Sequence, residues 1–543
     1  MKNKYALGIK LLYCRTLSSQ SGASVTMGSI ASCLRKEGYE IEIIFGLRTD
    51  LRKSQKILLE INKKPVIIYK PNFKDYPKYF PILKNIKLNN QKVKLFLCGP
   101  FASLNAESIM KNNNFIDGII LGDPEETICA LIKSANKDFS RWDYSLPGGV
   151  WRDKVNKKII FTKKREVSPD LDSLPFPARD IETKENVAYI NLEASRGCLF
   201  NCSFCHVPIY HTQNCSPKRR IRSPRLVVDE IERLNKELKK TLFIFNDQLF
   251  WAGKQDDERI KDICNEIIKR RLKIKFYIYL RSNPFLDNKL LDLLIRAGLV
   301  RVFLGTENAS EESLKNYKKN ITPSSSICAF DKLKKKNINV HIGHIVFEPR
   351  STIKDIKANI EFLYSLNKLY RLGVILEPPR MIPGSAMLKE LQEENLINSN
   401  LNYENTTYSF NFKDIKVNDL FSYIRELFLQ KLKKRWYEFE YYCVSGLLLI
   451  DLAKKESKRN VLNDKKIKNF IYLTEKSNKF LYDFFIKIIE KNNRTEKTEE
   501  KFISDFLKLL EELEYSWGEI SEFIRLNYGD SVIRELYKGV EPL

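Results

Sequence analysis

Histidine is nearly missing from this chain: 543 residues hold four, His206, His211, His341 and His344, and none precedes position 150. That scarcity excludes any imidazole-based site in the first 150 residues. No stretch of about 18 apolar residues runs without a charge, which argues against a membrane-crossing helix. Cysteine is also sparse, at 11 residues, far below the density of a stapled secreted scaffold. A chain of this length builds its core without bridges. The start, Met1-Lys2-Asn3-Lys4 followed by Tyr5 to Ile9, imitates a secretory leader, but Lys10 interrupts the apolar stretch and a buried first strand fits better. Reduced thiols place the expected location in the cytoplasm.

What is present in excess is positive charge, +25 formally. Such a charge raises the question of an anionic partner. The basic residues are interspersed with acids, as in Lys454-Lys455-Glu456, so a solvated surface is expected, with no nucleic-acid partner and no recognisable nucleic-acid module. With 43% hydrophobic residues, large cores are within reach, and the length suggests about three or four domains.

The segment Ser195-Arg196-Gly197-Cys198-Leu199-Phe200-Asn201-Cys202-Ser203-Phe204-Cys205 places three cysteines in a C-x3-C-x2-C spacing. Three thiolates on one tight loop converge on one metal site, and an iron-sulfur cube held by three of them keeps one iron open. A structural zinc site would need a fourth ligand, from Cys215, His206 or His211. His341 and His344 stand three apart, so on a strand they point to opposite faces and would not share a metal.

Around the loop the pattern is α/β. Residues 1–150 alternate strand-like runs (Tyr5 to Tyr13, Glu40 to Phe45, Pro65 to Tyr69, Val93 to Cys98, Gly118 to Leu121) with helical stretches such as Gly28 to Glu37. Alternation of this kind predicts a parallel sheet whose ligand site lies beyond the carboxyl ends of its strands. Residues 151–185 read as a linker. From 186 to 390 six strands are expected, at Val187 to Glu193, Thr241 to Asn246, Ile274 to Leu280, Val300 to Gly305, Val340 to Phe347 and Gly373 to Glu377. They predict a partial (β/α)6 barrel with its chemistry at the carboxyl ends. Charged residues stand at those ends, and Arg281, Glu348 and Arg380 are the catalytic candidates among them. Residues 391–543 are expected to be helical. The aromatic patch Arg435 to Tyr442 reads as helix core, or alternatively as a lid over the barrel mouth.

The cysteine loop resembles that of the radical S-adenosylmethionine (SAM) enzymes, with Phe204 before the third cysteine matching the pattern. Three further segments resemble the cobalamin-binding amino-terminal domain and linker of the B12-dependent branch, its class B methyltransferases in particular: Cys98-Gly99-Pro100-Phe101-Ala102, Gly118 to Thr127 with Gly122-Asp123-Pro124-Glu125, and Leu174-Pro175-Phe176-Pro177-Ala178-Arg179-Asp180. The resemblance implies a Rossmann-like cobalamin-binding domain, a radical SAM barrel and a [4Fe-4S] cluster held by Cys198, Cys202 and Cys205. Phe204, Asp247, Glu307 and Ile345 would position SAM. Ser21 and Gly22, Gly99 and Pro100, and Gly122 would hold cobalamin. The chain departs from the pattern twice. No D-x-H-x-x-G signature supplies an imidazole below cobalt, and Phe347 stands where the fifth-strand motif usually has glycine.

The implied reaction is reductive cleavage of SAM to a 5'-deoxyadenosyl radical, followed by methylation of an unactivated carbon, since an unpolarised C–H bond offers a general base no acidic proton. An electron donor such as flavodoxin or ferredoxin and a small-molecule or peptide substrate are the implied partners. The alternatives are oxidation, cyclisation or rearrangement without methyl transfer, methylthiotransfer, and a non-catalytic zinc protein binding nucleic acid.

Overall fold

The computed structural model describes all residues except 1–4, 14–23, 46–65, 72–75, 136–140, 154–157, 185–186, 188, 216, 283–286, 398–409, 457–460, 491–493 and 529–543. The first sheet holds seven strands: β1 (Tyr5–Tyr13), β2 (Tyr39–Phe45), β3 (Val66–Lys70), β4 (Lys94–Leu97), β5 (Gly118–Ile120), β6 (Gly149–Arg152) and β7 (Ile159–Phe161), in the order β2-β1-β3-β4-β5-β6-β7. β1 to β5 run parallel, and β6 and β7 add an antiparallel edge that reaches into the stretch read from sequence as linker. β3 is central, and Val66, Ile67, Ile68 and Tyr69 are all buried because helices cover both faces. The chain reverses direction of winding between β1 and β3, which opens a crevice outside their carboxyl ends.

The second sheet is built from β8 (Ile190–Leu192), β11 (Leu242–Phe245), β12 (Lys275–Arg281), β13 (Leu299–Glu307) and β14 (Asn339–His344), all parallel. The short strands β9 (Ser195–Gly197) and β10 (Arg219–Ile221) pair with each other beside it. Along β12 exposure alternates strictly: Phe276, Ile278 and Leu280 enter the helix-packed core, while Lys275, Tyr277, Tyr279 and Arg281 stay half-buried on the inner face. The sixth expected strand is absent. Gly373–Leu376 forms a short helix instead, with Gly373 N–H donating to Glu440 Oε2 at 2.7 Å, so this segment is held by a carboxylate of the helical region and not by a ladder to β14.

The helical region comprises Ile415–Arg425, Arg435–Glu456, Lys465–Glu490 and Glu496–Tyr528, with a π-helical stretch at Glu426–Lys431. Its aromatic patch is core: Phe439 stacks on Phe506 at 4.6 Å, and Tyr441 and Tyr442 pack on Trp517. The lid alternative fails for the helix Arg435–Glu456, which lies across the amino ends of the barrel strands. Lys455 Nζ donates to Leu299 O at 2.7 Å, and Asp451 accepts from Asn339 at 2.8 Å. Among the described residues no helix is long and apolar enough to cross a membrane.

Candidate functional site

The cysteine loop leaves β9 through Gly197, whose φ of +85° and distance of 2.1 Å from a would-be Cβ to Lys218 O exclude any side chain. Its backbone is tied down by Cys198 N–H to Lys218 O (3.1 Å), Ser203 N–H to Tyr317 O (3.0 Å), Cys205 N–H to Cys202 O (3.1 Å) and Met387 N–H to Ser203 O (3.0 Å). Cys198, Cys202 and Cys205 are all half-buried. Burial pushes the Cys198 thiol up and the Cys205 thiol up to about 12, so a thiolate at either position needs a cation to hold it. Positive charge is supplied by Arg281, whose Nη1 donates to Cys202 Sγ at 3.6 Å, and by Lys319, both felt at Cys198. Among the described residues no three His, Cys, Asp or Glu side chains are gathered closely enough to hold a single metal ion, so it is the spacing of the three thiols on one tied-down loop that suits a cluster. Of the other donors weighed for a zinc site, His211 Nδ1 lies 3.7 Å from Asp123, Cys215 is exposed in a bridge to Glu166, and His206 lines the cavity described below.

Phe204 meets Tyr317 edge-on at 5.2 Å and packs in a small apolar group with Ile345, Met381 and Met387. Glu307 sits at φ +63° at the end of β13, paired with Lys319 Nζ at 2.5 Å, and its carbonyl accepts from Ile345 N–H at 2.6 Å. Phe204, Glu307 and Ile345 thus gather beside the loop.

Asp247 takes a different place from the one expected. It is fully buried, its carboxylate accepting from Ala194 N–H (3.0 Å) and Ser195 Oγ (2.5 Å), and burial raises its pKa to about 6. It fixes the chain just before the cysteines, while its neighbours Asn246 and Gln248 face the open cavity described below. Phe347 explains its own departure from glycine by pointing away: it packs on Phe412 and Phe421.

The three catalytic candidates separate. Arg281 lies at the cysteines and over Phe200, 4.1 Å from the ring centroid. Glu348 is buried, bonded to Ser313 Oγ (3.3 Å) and Arg350 N–H (3.2 Å), so it organises the loop after β14. Arg380 is half-buried near His206, where its charge adds to the burial that lowers the imidazole pKa to about 4. His341 and His344 do face apart: His341 lies against Arg301 and Arg371, and His344 against Thr306 and Asn359.

Between the two sheets lies a cavity of about 200 Å³ lined from both sides. Ser24, Val25 and Thr26 follow β1, Lys70 ends β3 and Pro100 follows β4. Asn191, Glu193, His206, Asn246 and Gln248 line it from the barrel side. Its hydroxyls and amides, with Lys70, Asp123, Glu193 and Arg196 as charged groups, offer polar contacts to the edge of an amide-fringed cofactor such as cobalamin, and the volume takes only part of so large a molecule. Gly99, at φ +87°, passes the Lys70 side chain, with a would-be Cβ 3.0 Å from Lys70 Cγ. Gly122 does not border the cavity. A Cβ there would stand 1.9 Å from Asn214 Oδ1. Ser21 and Gly22 lie outside the described residues.

Residues 192–363 match the model of the radical SAM superfamily. That segment, which carries the cysteine loop, is a radical SAM domain. It therefore works with SAM and a [4Fe-4S] cluster. An uncharacterized methyltransferase of Pyrococcus horikoshii is 27% identical over 384 residues, covering 69% of this chain and 80% of that protein. An anaerobic magnesium-protoporphyrin IX monomethyl ester cyclase of Rubrivivax gelatinosus is 27% identical over 330 residues, covering 58% of this chain and 57% of that protein. In fold, the chain is similar to the cobalamin-dependent SAM radical enzyme OxsB with aqua-cobalamin and SAM bound, at a TM-score of 0.68 and 19% identity over 98% of this chain and 83% of that one.

Sequence reading of the radical SAM domain and its neighbour missed two features. Lys70, in the cavity wall with its pKa lowered by burial, left only the signal of a cation closing an apolar strand. Arg196 was visible only as part of the loop pattern, yet it is buried among Glu193, Glu125 and Asp123.

Proposed function

We propose that this radical SAM protein is a cobalamin-dependent enzyme that transfers a methyl group to an unactivated carbon of a small-molecule or peptide substrate in the cytoplasm, fed by a one-electron donor such as flavodoxin or ferredoxin. The observation that carries the reading is the cavity joining the β1/β3 crevice to His206, the residue next to Cys205. A cofactor resting on the first sheet there would face the cluster loop.

When bound, the cluster and SAM would supply one-electron bond cleavage, and cobalamin a transferable methyl group. The chain's own part is binding, orientation and exclusion of water. Cys198, Cys202 and Cys205 would hold the cluster, and the Glu307–Lys319 pair would present a polar edge to SAM. Phe204, Ile345 and Met381 would form an apolar wall that keeps water from a reactive carbon centre. His206, kept neutral by burial, adds no cation to the cavity near pH 7. Lys70, Ser24, Thr26 and Pro100 would line the cobalamin side.

A second reading, cyclisation or rearrangement without methyl transfer, is favoured by the cyclase relative, which matches at the same 27% identity as the methyltransferase relative. Anaerobic protein incubated with methyl-labelled SAM and reductant separates the two: label in the product supports methyl transfer, and deoxyadenosine without transferred label supports the second. Protein purified and reconstituted without oxygen that takes up no cobalt when offered cobalamin would sink the cobalamin reading.

A further inference from the structure

The turn from Leu121 to Glu125 resembles a cofactor-binding motif, yet its polar groups are spent on the cysteine-bearing half of the chain. Arg196 immediately precedes Gly197-Cys198, and its buried guanidinium is gripped from two sides. Nη2 bonds Glu125 Oε1 at 2.8 Å, Nε bonds Glu193 Oε2 at 2.6 Å, and Nη1 lies 3.8 Å from Asp123 Oδ1. Arg220, which pairs with Arg196 in the β9–β10 ladder, makes its own ion pair to Asp123. The backbone of the same turn is engaged as well. Tyr210 Oη donates to Gly122 O at 2.6 Å, Asn214 Oδ1 accepts from Asp123 N–H at 2.6 Å, and Asn214 Nδ2 donates to Leu121 O at 3.3 Å.

Asp123, Glu125, Arg196 and Arg220 are each less than 10% exposed. Leaving any of these charges unpaired would cost several kcal/mol, so β9 cannot slide relative to the turn without a large penalty. The strand ends at Gly197, and Cys198 is the next residue. A carboxylate pair from the first sheet therefore holds the entry to the cluster loop, and the low dielectric around it carries the charge further than water would.

We propose that Asp123 and Glu125 are positioning residues for the cluster, acting through Arg196 to fix Cys198 and to set the cluster's reduction potential. This rests on the cluster reading; because Asp123 and Arg196 also line the cavity proposed for cobalamin, the test is run without added cobalamin. The β5 turn is then part of the radical SAM site, and its resemblance to a cofactor motif reflects the contact between the two sheets. Changing Glu125 to Gln keeps the shape and one acceptor, but removes a negative charge from a group that contacts Arg196.

The test uses the full chain, reconstituted anaerobically with iron and sulfide, and follows the cluster by electron paramagnetic resonance during a redox titration. Glu125→Gln and Asp123→Asn should keep their iron and sulfide while the reduced-to-oxidised ratio at a fixed potential rises about threefold or more, because less negative charge near the cluster favours the added electron. Glu126→Gln, from the same turn but bonded to Ser168 N–H at 2.9 Å, should stay close to wild type. Arg196→Lys keeps the charge but loses the forked contacts, and should alter the SAM-induced change in the resonance signal even if the carboxylate variants fold poorly. A wild-type protein without a cluster overturns this proposal and the proposed function together. A normal cluster whose potential and SAM response are unmoved in these variants overturns the positioning role alone.

Discussion

Nη1 of Arg281 donates to Sγ of Cys202 across 3.6 Å while its guanidinium lies over Phe200. A cation at the end of β12 thus sits against the middle thiol of the loop, and hydrogen bonds and charge at cluster sulfurs raise the reduction potential. Arg281→Gln is expected to lower the reduced-to-oxidised ratio at a fixed potential several-fold, with iron and sulfide retained. Redox titration of the reconstituted protein checks it; an unmoved midpoint would show that this contact does not tune the cluster.

Cys202→Ala removes one of three thiols. The expected result is loss of the cluster's visible absorption and of deoxyadenosine formation from SAM, measured anaerobically with a chemical reductant. Retention of the spectrum would refute the ligand assignment.

Gly122 combines a φ of +65° with a neighbour, Asn214, pinned by two hydrogen bonds. Gly122→Ala should therefore cost about 1–3 kcal/mol, from backbone strain plus displacement of Asn214. In the double variant with Asn214→Ala the clash disappears and the strain remains, so the two changes should be non-additive in chemical denaturation. Strict additivity would contradict the packing.

His344 is buried between Thr306 and Asn359, with burial lowering its pKa from 6.5 to about 4. The folded state then binds fewer protons than the unfolded state between those values, so stability falls as pH drops from 6.5 toward 4. The contribution amounts to roughly 3 kcal/mol at most. Denaturation of wild type and His344→Gln at several pH values should show a flatter profile for the variant across this window; parallel profiles would place the acid sensitivity elsewhere.

Much of the fold could be read from local pattern. The parallel strands of both sheets and the helical carboxyl-terminal region appear where apolar patterning put them, because burial of one face or two is written in consecutive residues, whereas the antiparallel edge β6 and β7 lies where no strand was expected. Gly373 to Glu377 misled: a short apolar run has no period of its own, and contact with Glu440 decided for helix. Asp247 misled differently, since a carboxylate at a strand end looks the same whether it faces a ligand or locks a loop.

The sequence by itself determined the three-thiol loop, the α/β alternation and the helical tail, since each depends on spacing within a few consecutive residues. Only the tertiary structure brought Lys70 to one wall of the cavity and His206 to the other, and closed Arg196 between carboxylates 71 residues upstream and three residues away. Buried ions and amides take partners by proximity in space, and no local periodicity records which distant residue will supply the opposite charge.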